Sequence, residues 1–422
     1  MPSLSSRPST SISTSTSTST SSSVSSPSPS SSSVARPPLL LGVDLSGAGA
    51  RPAVHRARGA VQPRSFDAER FVRLVRTADD GGLDLVTLDE AFLLHPGRRQ
   101  VAGRLDAAVA AARVAPRTRR VGLVVAVDTV HVDPAHIAQA IGRVDRKSAG
   151  RVAWQVGLPA GVDVQDDAWA ARSRAVAAQV AGQWDAPAPA GGVAVDGDGR
   201  YRVDHEGIRF AVRRHEVGRP GAGGHDAEAR DAEVRGPAET WLGRPPVVVA
   251  VRSAAALGLV ARTADVVRVP AVTPDQAVRA RSRLRHAAEA AGRDPDAVRV
   301  LVEASVVLAA DRASARTRRE LVEALEGPEA FDGRLVVAGT PDDLARTVVE
   351  WRDAGATDGF VLRPSSVEAD LAAVVGGLLP QLVRDGVRGA AVPAPRTLRA
   401  TLGLPDVGRG SAVADVARLV RA

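Results

Sequence analysis

Five short stretches of this chain bring together residue types that bind anions or move protons. Asp89 and Glu90 are adjacent carboxylates; Asp128, Thr129 and His131 follow one apolar run, and Gln155 and Gly157 close another. Arg252 and Ser253 precede a helical stretch, and Arg363 is followed by Pro364, Ser365 and Ser366. Neighbouring carboxylates offer general acid–base chemistry, but on an extended strand only one of the two faces a given side. An imidazole such as His131 titrates near neutral pH and suits proton transfer or a substrate contact. Arg252 and Ser253 at a helix N-terminus form a candidate phosphate site, because free N–H groups, the positive dipole end and a guanidinium all favour an anion. Arg363 with Ser365 and Ser366 is a rival, and each pair also reads as an ordinary helix cap. Gly47-Ala-Gly49 lacks a third glycine and reads as a tight turn, not a dinucleotide fingerprint.

Several chemistries are excluded. Cysteine is absent, so thiolate metal sites, disulfides and cysteine nucleophiles are ruled out. No Gly-x-Ser-x-Gly elbow supports a Ser-His-Asp hydrolase. His131 and His136 are the closest histidines and have no third ligand at a matching spacing, so no metal site is expected.

The candidate residues sit at the ends of short apolar runs, and those runs have a beat. They fall at 39–43, 83–88, 121–127, 152–156, 247–251, 266–269, 298–308 and 360–362, each followed by a helix-like segment. Near-continuous apolar runs are buried on both faces, as in parallel sheets. Eight such units predict an α/β fold, a closed (β/α)₈ TIM barrel, whose chemistry lies at the C-terminal strand ends. The barrel rule places phosphate near the last two strands, which favours Arg363. Helix ends are legible. Ser65 caps a helix with Phe71, Leu74, Val75 and Ala78 inward and Gly81-Gly82 at its end. Asp133-Pro134 opens another that buries Ile137, Ile141 and Val144, and Thr340-Pro341 with Asp343 opens one that buries Leu344, Val348 and Trp351.

Two segments break the beat. Residues 1–37 are a Ser/Thr/Pro tract with almost no apolar content, expected to be a disordered, dispensable tail rather than a transit peptide. Residues 38–422 form the barrel domain, with 157–246 an insertion expected to act as a mobile lid around one helical piece at 166–184. A second irregular piece spans 327–339. The net charge of +7 comes from 55 basic and 48 acidic residues, with Lys147 the single lysine. The arginines are dispersed among acids and aromatics are 3%, so no nucleic-acid role is expected. No apolar run reaches the ~20 residues that span a bilayer, and no secretory signal is visible, so a cytoplasmic protein without a membrane role is expected.

Several stretches resemble one family. Residues 71–86 (Phe-Val-Arg-Leu-Val-Arg-Thr-Ala-Asp-Asp-Gly-Gly-Leu-Asp-Leu-Val) are similar to the first helix and second strand of bacterial-luciferase-like flavin monooxygenases. Asp133-Pro-Ala-His-Ile-Ala and 144–156 resemble that family's third helix and fourth strand. Val203-Asp-His-Glu-Gly-Ile-Arg-Phe, Gly339-Thr-Pro-Asp-Asp-Leu through Asp358-Gly-Phe-Val-Leu-Arg-Pro, and Thr397-Leu-Arg-Ala-Thr-Leu-Gly-Leu-Pro resemble its nitrilotriacetate and dibenzothiophene-sulfone monooxygenase branch. The likeness runs in order from about Leu39 to Pro405.

That resemblance implies a barrel that takes reduced FMN (FMNH2) from a separate flavin reductase and uses O₂ to oxygenate a small organic substrate, as a homodimer or larger assembly. It implies cofactor contacts for Glu90, where the family has an Asp, and for Thr129. It implies a phosphate role for Ser253, the second Ser of a family pair whose first Ser is here Arg252. Gln165 and Trp169 stand where the branch has a His and a Tyr, and His131, the candidate proton-transfer residue, replaces a Tyr. After the fourth strand, Gln155-Val-Gly-Leu replaces Asn-Val-Val-Thr. Two alternatives stand beside this reading: the same barrel using F420 for hydride transfer, and a degenerate barrel that binds without turnover.

Overall fold

The structure, a computed structural model, describes residues 39–46, 68–89, 93–94, 101–102, 106–157, 167–185, 200–205, 208–213, 240, 243–252, 254–331, 333–389 and 396–405. All lie within one unit, residues 37–422. The tail at 1–37, the Ser65 cap, Glu90, Gln165 and Ser253 fall outside the described residues.

Eight strands are the expected ones: β1 Leu40–Asp44, β2 Leu85–Leu88, β3 Gly122–Asp128, β4 Val152–Gly157, β5 Val247–Ala250, β6 Val266–Pro270, β7 Arg299–Leu308 and β8 Gly359–Pro364. Every neighbouring pair is parallel. The order runs β6-β5-β4-β3-β2-β1-β8-β7, and β7 pairs back to β6, which closes a barrel. The wall helices are α1 Ala68–Gly81, α2 Ala107–Val114, α3 Pro134–Ser148, α4 Asp167–Asp185, α5 Leu257–Thr263, α6 Pro274–Ala290, α7 Arg312–Glu326 and α8 Pro341–Asp353. A last helix, α9, runs from Val367–Ala373 through a π turn into Leu379–Arg384.

Strand parity sorts the core into two shells, since successive side chains point to opposite faces. Leu41, Val86, Val125, Trp154, Val249, Val267, Val302 and Phe360 face outward into the large cluster they share with the helices. Leu40, Leu85, Val124, Ala153, Val248, Val266, Leu301 and Val361 face inward and fill the N-terminal half of the barrel. A short helix, Leu398–Thr401, plugs that end with Leu398 and Leu402. Arg299 holds the plug by donating to the carbonyls of Leu402 and Gly403, both at 2.7 Å. A cavity of about 10 Å3 remains among these apolar side chains, with Thr87 and Arg268 also lining it, at the lower limit for one water. Closure also needs Gly359, because a Cβ there would sit 2.1 Å from the Leu40 carbonyl oxygen.

The expected helix ends are present. Asp133 accepts from the Ala135 N–H at 2.8 Å, and Thr340 and Asp343 form a reciprocal capping box. Two segments differ from their expected description. The helical piece expected inside the lid is α4, a wall helix. Trp184 on α4 meets Trp154 edge-on at 6.1 Å and donates to the Ala138 carbonyl, so aromatic packing binds α4 to β4 and α3. Elsewhere in 157–246 an antiparallel hairpin joins Arg200–His205 to Ile208–Arg213. The piece at 327–339 ends in an outer strand, Leu335–Gly339, parallel to the C-terminal half of β7. Residues 304–306 of β7 pair with this strand and with β8 at once, so the outer strand occupies the opposite edge, directly beyond the end of β6.

Candidate active site

The inward parity that puts Leu and Val at the bottom of the barrel puts charge above them. One step of two residues along each strand leads from Val266 to Arg268, from Leu301 to Glu303, from Leu85 to Thr87, from Ala153 to Gln155 and from Val361 to Arg363. Asp44 ends β1, and Asp89 follows β2. Arg252 comes from the end of β5. Arg334, just before the outer strand, arrives over the end of β6, where Pro270 is in register with Glu303.

Glu303 is the hub. It is fully buried and accepts both terminal nitrogens of Arg252 at 2.8 Å, a two-pronged pair. Arg268 Nη2 lies 3.0 Å from it, Arg334 Nε 3.3 Å and Arg363 Nη1 3.4 Å. Arg268 is 1% exposed and donates from Nη1 to Gln155 Oε1 at 2.7 Å; Gln155 in turn donates to Asp89 at 2.6 Å. Asp44 stands 3.8 Å from both Arg268 and Arg363. The Ser46 hydroxyl accepts the Asp89 backbone N–H at 2.8 Å, which ties the ends of β1 and β2 together.

Burial alone would neutralise these groups, and their partners decide otherwise. Burial pushes Glu303 up, but the charges of Arg268 and Arg252 hold it well below the ordinary carboxylate range. Asp44 is likewise pushed up by burial and brought below its ordinary value by Arg363 and Arg268. Asp89 differs. Burial raises it, Arg268 only partly offsets that, and the negative charge of Asp44 adds to the rise. Arg268 stays charged, since Glu303, Asp89 and Asp44 outweigh its burial. Arg334 is lowered by burial and by the nearby charges of Arg363 and Arg252. Four guanidinium groups thus face three carboxylates among the described residues. Among the described residues, Nε and Nη2 of Arg268 have no aligned hydrogen-bond acceptor, although buried donors are nearly always satisfied.

A second group forms where β3 meets α4. His131, with 70% of its side chain exposed, bonds through Nδ1 to Asp128, which also accepts the Val130 N–H at 2.6 Å. Thr129 is fully buried and shares a 2.7 Å hydrogen bond with Ser173 of α4. Arg172 of the same helix donates to the Val130 carbonyl at 2.7 Å. Trp169, one turn earlier, is 6% exposed, and its indole N–H has no acceptor among the described residues.

Of the residues singled out from sequence, Arg252 therefore joins the mouth cluster, and Arg363 joins it too. Of the carboxylate neighbours, Asp89 turns into the cluster. Thr129 meets Ser173 in the β3–α4 packing, Trp169 is buried on the same helix, and His131 is exposed just after β3. Four members of the cluster lie outside the residues singled out from sequence: Arg268 and Glu303 are inside apolar runs, Asp44 directly follows the first run, and Arg334 belongs to the irregular piece at 327–339. The signal was present: a charged residue inside an apolar run, as in Val-Val-Arg268-Val and Leu-Val-Glu303-Ala, either breaks the strand or faces a polar interior.

A closed parallel barrel with a charged C-terminal mouth defines the TIM-barrel class of fold, and a family model narrows it. Residues 50–326 match the luciferase-like monooxygenase family. The chain belongs to that family. N-acetyl-S-(2-succino)cysteine monooxygenase of Bacillus subtilis (strain 168) is 23% identical over 82% of this chain and 92% of its own length. EDTA monooxygenase from Chelativorans sp. BNC1 shares the fold with a TM-score of 0.69 at 21% identity, over 88% of this chain and 99% of its own. A riboflavin lyase solved with modified FMN and riboflavin gives 0.68 at 20% identity, over 88% and 97%. An F420-dependent secondary alcohol dehydrogenase gives 0.54 at 14% identity, over 80% and 98%. No helix among the described residues is long and apolar enough to cross a membrane.

The donor set at the mouth fits a flavin. Reduced FMN is anionic and rich in acceptors along its pyrimidine edge, and Arg268 offers a buried guanidinium whose Nε has no acceptor among the described residues.

Proposed function

We propose that this protein is a flavin-dependent monooxygenase that takes reduced FMN from a separate reductase and oxygenates a small organic substrate, working in the cytoplasm as a homodimer or larger assembly. One observation carries the reading: a fully buried, charged guanidinium, Arg268, stands at the C-terminal mouth of the barrel with an Nε that has no acceptor among the described residues. Bound reduced FMN supplies the electrons for reductive activation of O₂; the protein supplies position, electrostatics and exclusion of water.

In this reading Arg268 faces the acceptor edge of the flavin. Arg252 and Ser253, at the start of the turn Ala254–Ala256 that leads into α5, hold its phosphate. Arg252 is already engaged with Glu303, so it acts there through its charge. Glu90 and Gln165, which follow β2 and β4 in the sequence, are further cofactor contacts. Thr129 and Trp169 hold α4 against the rim, and Trp169 shields the ring from behind. His131 exchanges protons through Nε2, because Asp128 occupies Nδ1.

Replacing Arg252 and Ser253 together by Ala is expected to weaken FMN binding at least about tenfold, as lost charge-assisted hydrogen bonds should. Flavin fluorescence titration reads this directly, and unchanged affinity refutes the assignment. The F420 reading is kept because an F420-dependent dehydrogenase shares the fold. Anaerobic turnover with reduced F420, and none with reduced FMN and O₂, would select it.

A further inference from the structure

The flavin reading leaves two arginines of the mouth without a task. Arg334 and Arg363 keep 26% and 20% of their side chains exposed. Each spends only part of its fork. Arg334 donates through Nε to Glu303, and neither of its terminal nitrogens has a partner among the described residues. Arg363 uses Nη1 on Glu303, and Nε faces Asp44 at 3.8 Å, which leaves Nη2. Both are anchored at their inner ends by buried carboxylates, so their outer nitrogens are held in place before any ligand arrives. Arg334 also immediately precedes the outer strand, an element added to the eight-stranded plan that lies beyond the end of β6.

Resting on the flavin reading, we infer that Arg334 and Arg363 form an anion subsite for the substrate, and that the substrate is a small organic acid bound through a carboxylate. The fork geometry chooses between anions. A planar carboxylate matches a guanidinium edge through two parallel hydrogen bonds. Neutral substrates would leave two partly desolvated cations unmatched, and burying them costs more than their exposure does. Specificity would then come from charge at one end of the substrate, with the flavin facing the other end.

The test uses the full chain saturated with FMN and three probe acids, acetate, succinate and benzoate, each compared by calorimetry with its neutral amide. At least one acid should bind saturably and its amide should not. Arg334→Met and Arg363→Met should each weaken that acid about tenfold or more while FMN affinity stays within twofold. Each variant leaves Glu303 three other arginines, and near-ultraviolet circular dichroism checks that the fold is retained. Failure of all three acids, equal binding of acid and amide, or acid binding indifferent to both variants overturns the inference. So does a variant that weakens FMN and spares riboflavin, because the arginine then holds the flavin phosphate. Acid binding by a chain that takes no FMN would refute the flavin reading and leave the anion subsite standing.

Discussion

Glu303→Gln is the sharpest test of the charged mouth. The substitution keeps shape and removes one negative charge from a site that is 0% exposed. The mouth then gains one net positive charge. The Gln amide also turns a donor toward Arg252, whose two nitrogens now share Glu303 at 2.8 Å. Removing one partner of a buried ion pair typically costs about 3–5 kcal/mol. Arg268 is as buried as Glu303, but Arg252, Arg334 and Arg363 keep a fifth to a quarter of their surface, where water screens part of the interaction. The lower end, about 3 kcal/mol, is expected. With ~2.1 cal/mol/K of unfolding entropy per residue over a barrel of roughly 300 ordered residues, that is a fall in Tm of about 5 °C. The pH dependence has a definite sign. Glu303 has a folded pKa below its ordinary value of 4.5, so its stabilisation is complete above that value and is lost as pH falls below it. The gap between wild type and Glu303→Gln should therefore be widest near pH 7 and shrink below about pH 4.5. Urea unfolding of both proteins across that range measures it. A loss under about 1 kcal/mol at neutral pH, or a gap unchanged in acid, would refute the hub role.

Asp89→Asn should behave oppositely. The folded pKa of Asp89 lies above its ordinary 3.8, so its ionised form is a burden at neutral pH. The variant is expected to match or slightly exceed wild-type stability near pH 7, with the advantage fading as pH falls toward 3.8; a clear loss at pH 7 contradicts this. Gly359→Ala tests closure, since its Cβ would lie 2.1 Å from the Leu40 carbonyl oxygen. Separating β1 from β8 should cost about 1–3 kcal/mol or more, read by thermal unfolding, and an unchanged Tm would show that the seam yields freely.

Local chemistry was enough to read the barrel. Each strand is an apolar run of β-branched and aliphatic residues between helix caps such as Asp133-Pro134 and Thr340-Pro341. The α4 wall helix was legible as a helix, but its assignment to the wall rests on Trp184 meeting Trp154, a contact between residues 30 apart in sequence. The outer strand was hidden because five residues between turn formers carry too little periodicity, and its place depends on a free edge of β7.

The site divides along the same line. Sequence determined which residue types end the strands, and so it reached Arg252, Asp89, Gln155 and Arg363. It could not say that Arg252 would meet a glutamate 51 positions away, or that Arg268 and Glu303 share the barrel axis with Asp44. Those relations exist only once β1 and β5–β8 close into one ring. Closure brings together the inward positions of strands distant in the chain, and it replaces water with guanidinium groups as the partner of each buried carboxylate.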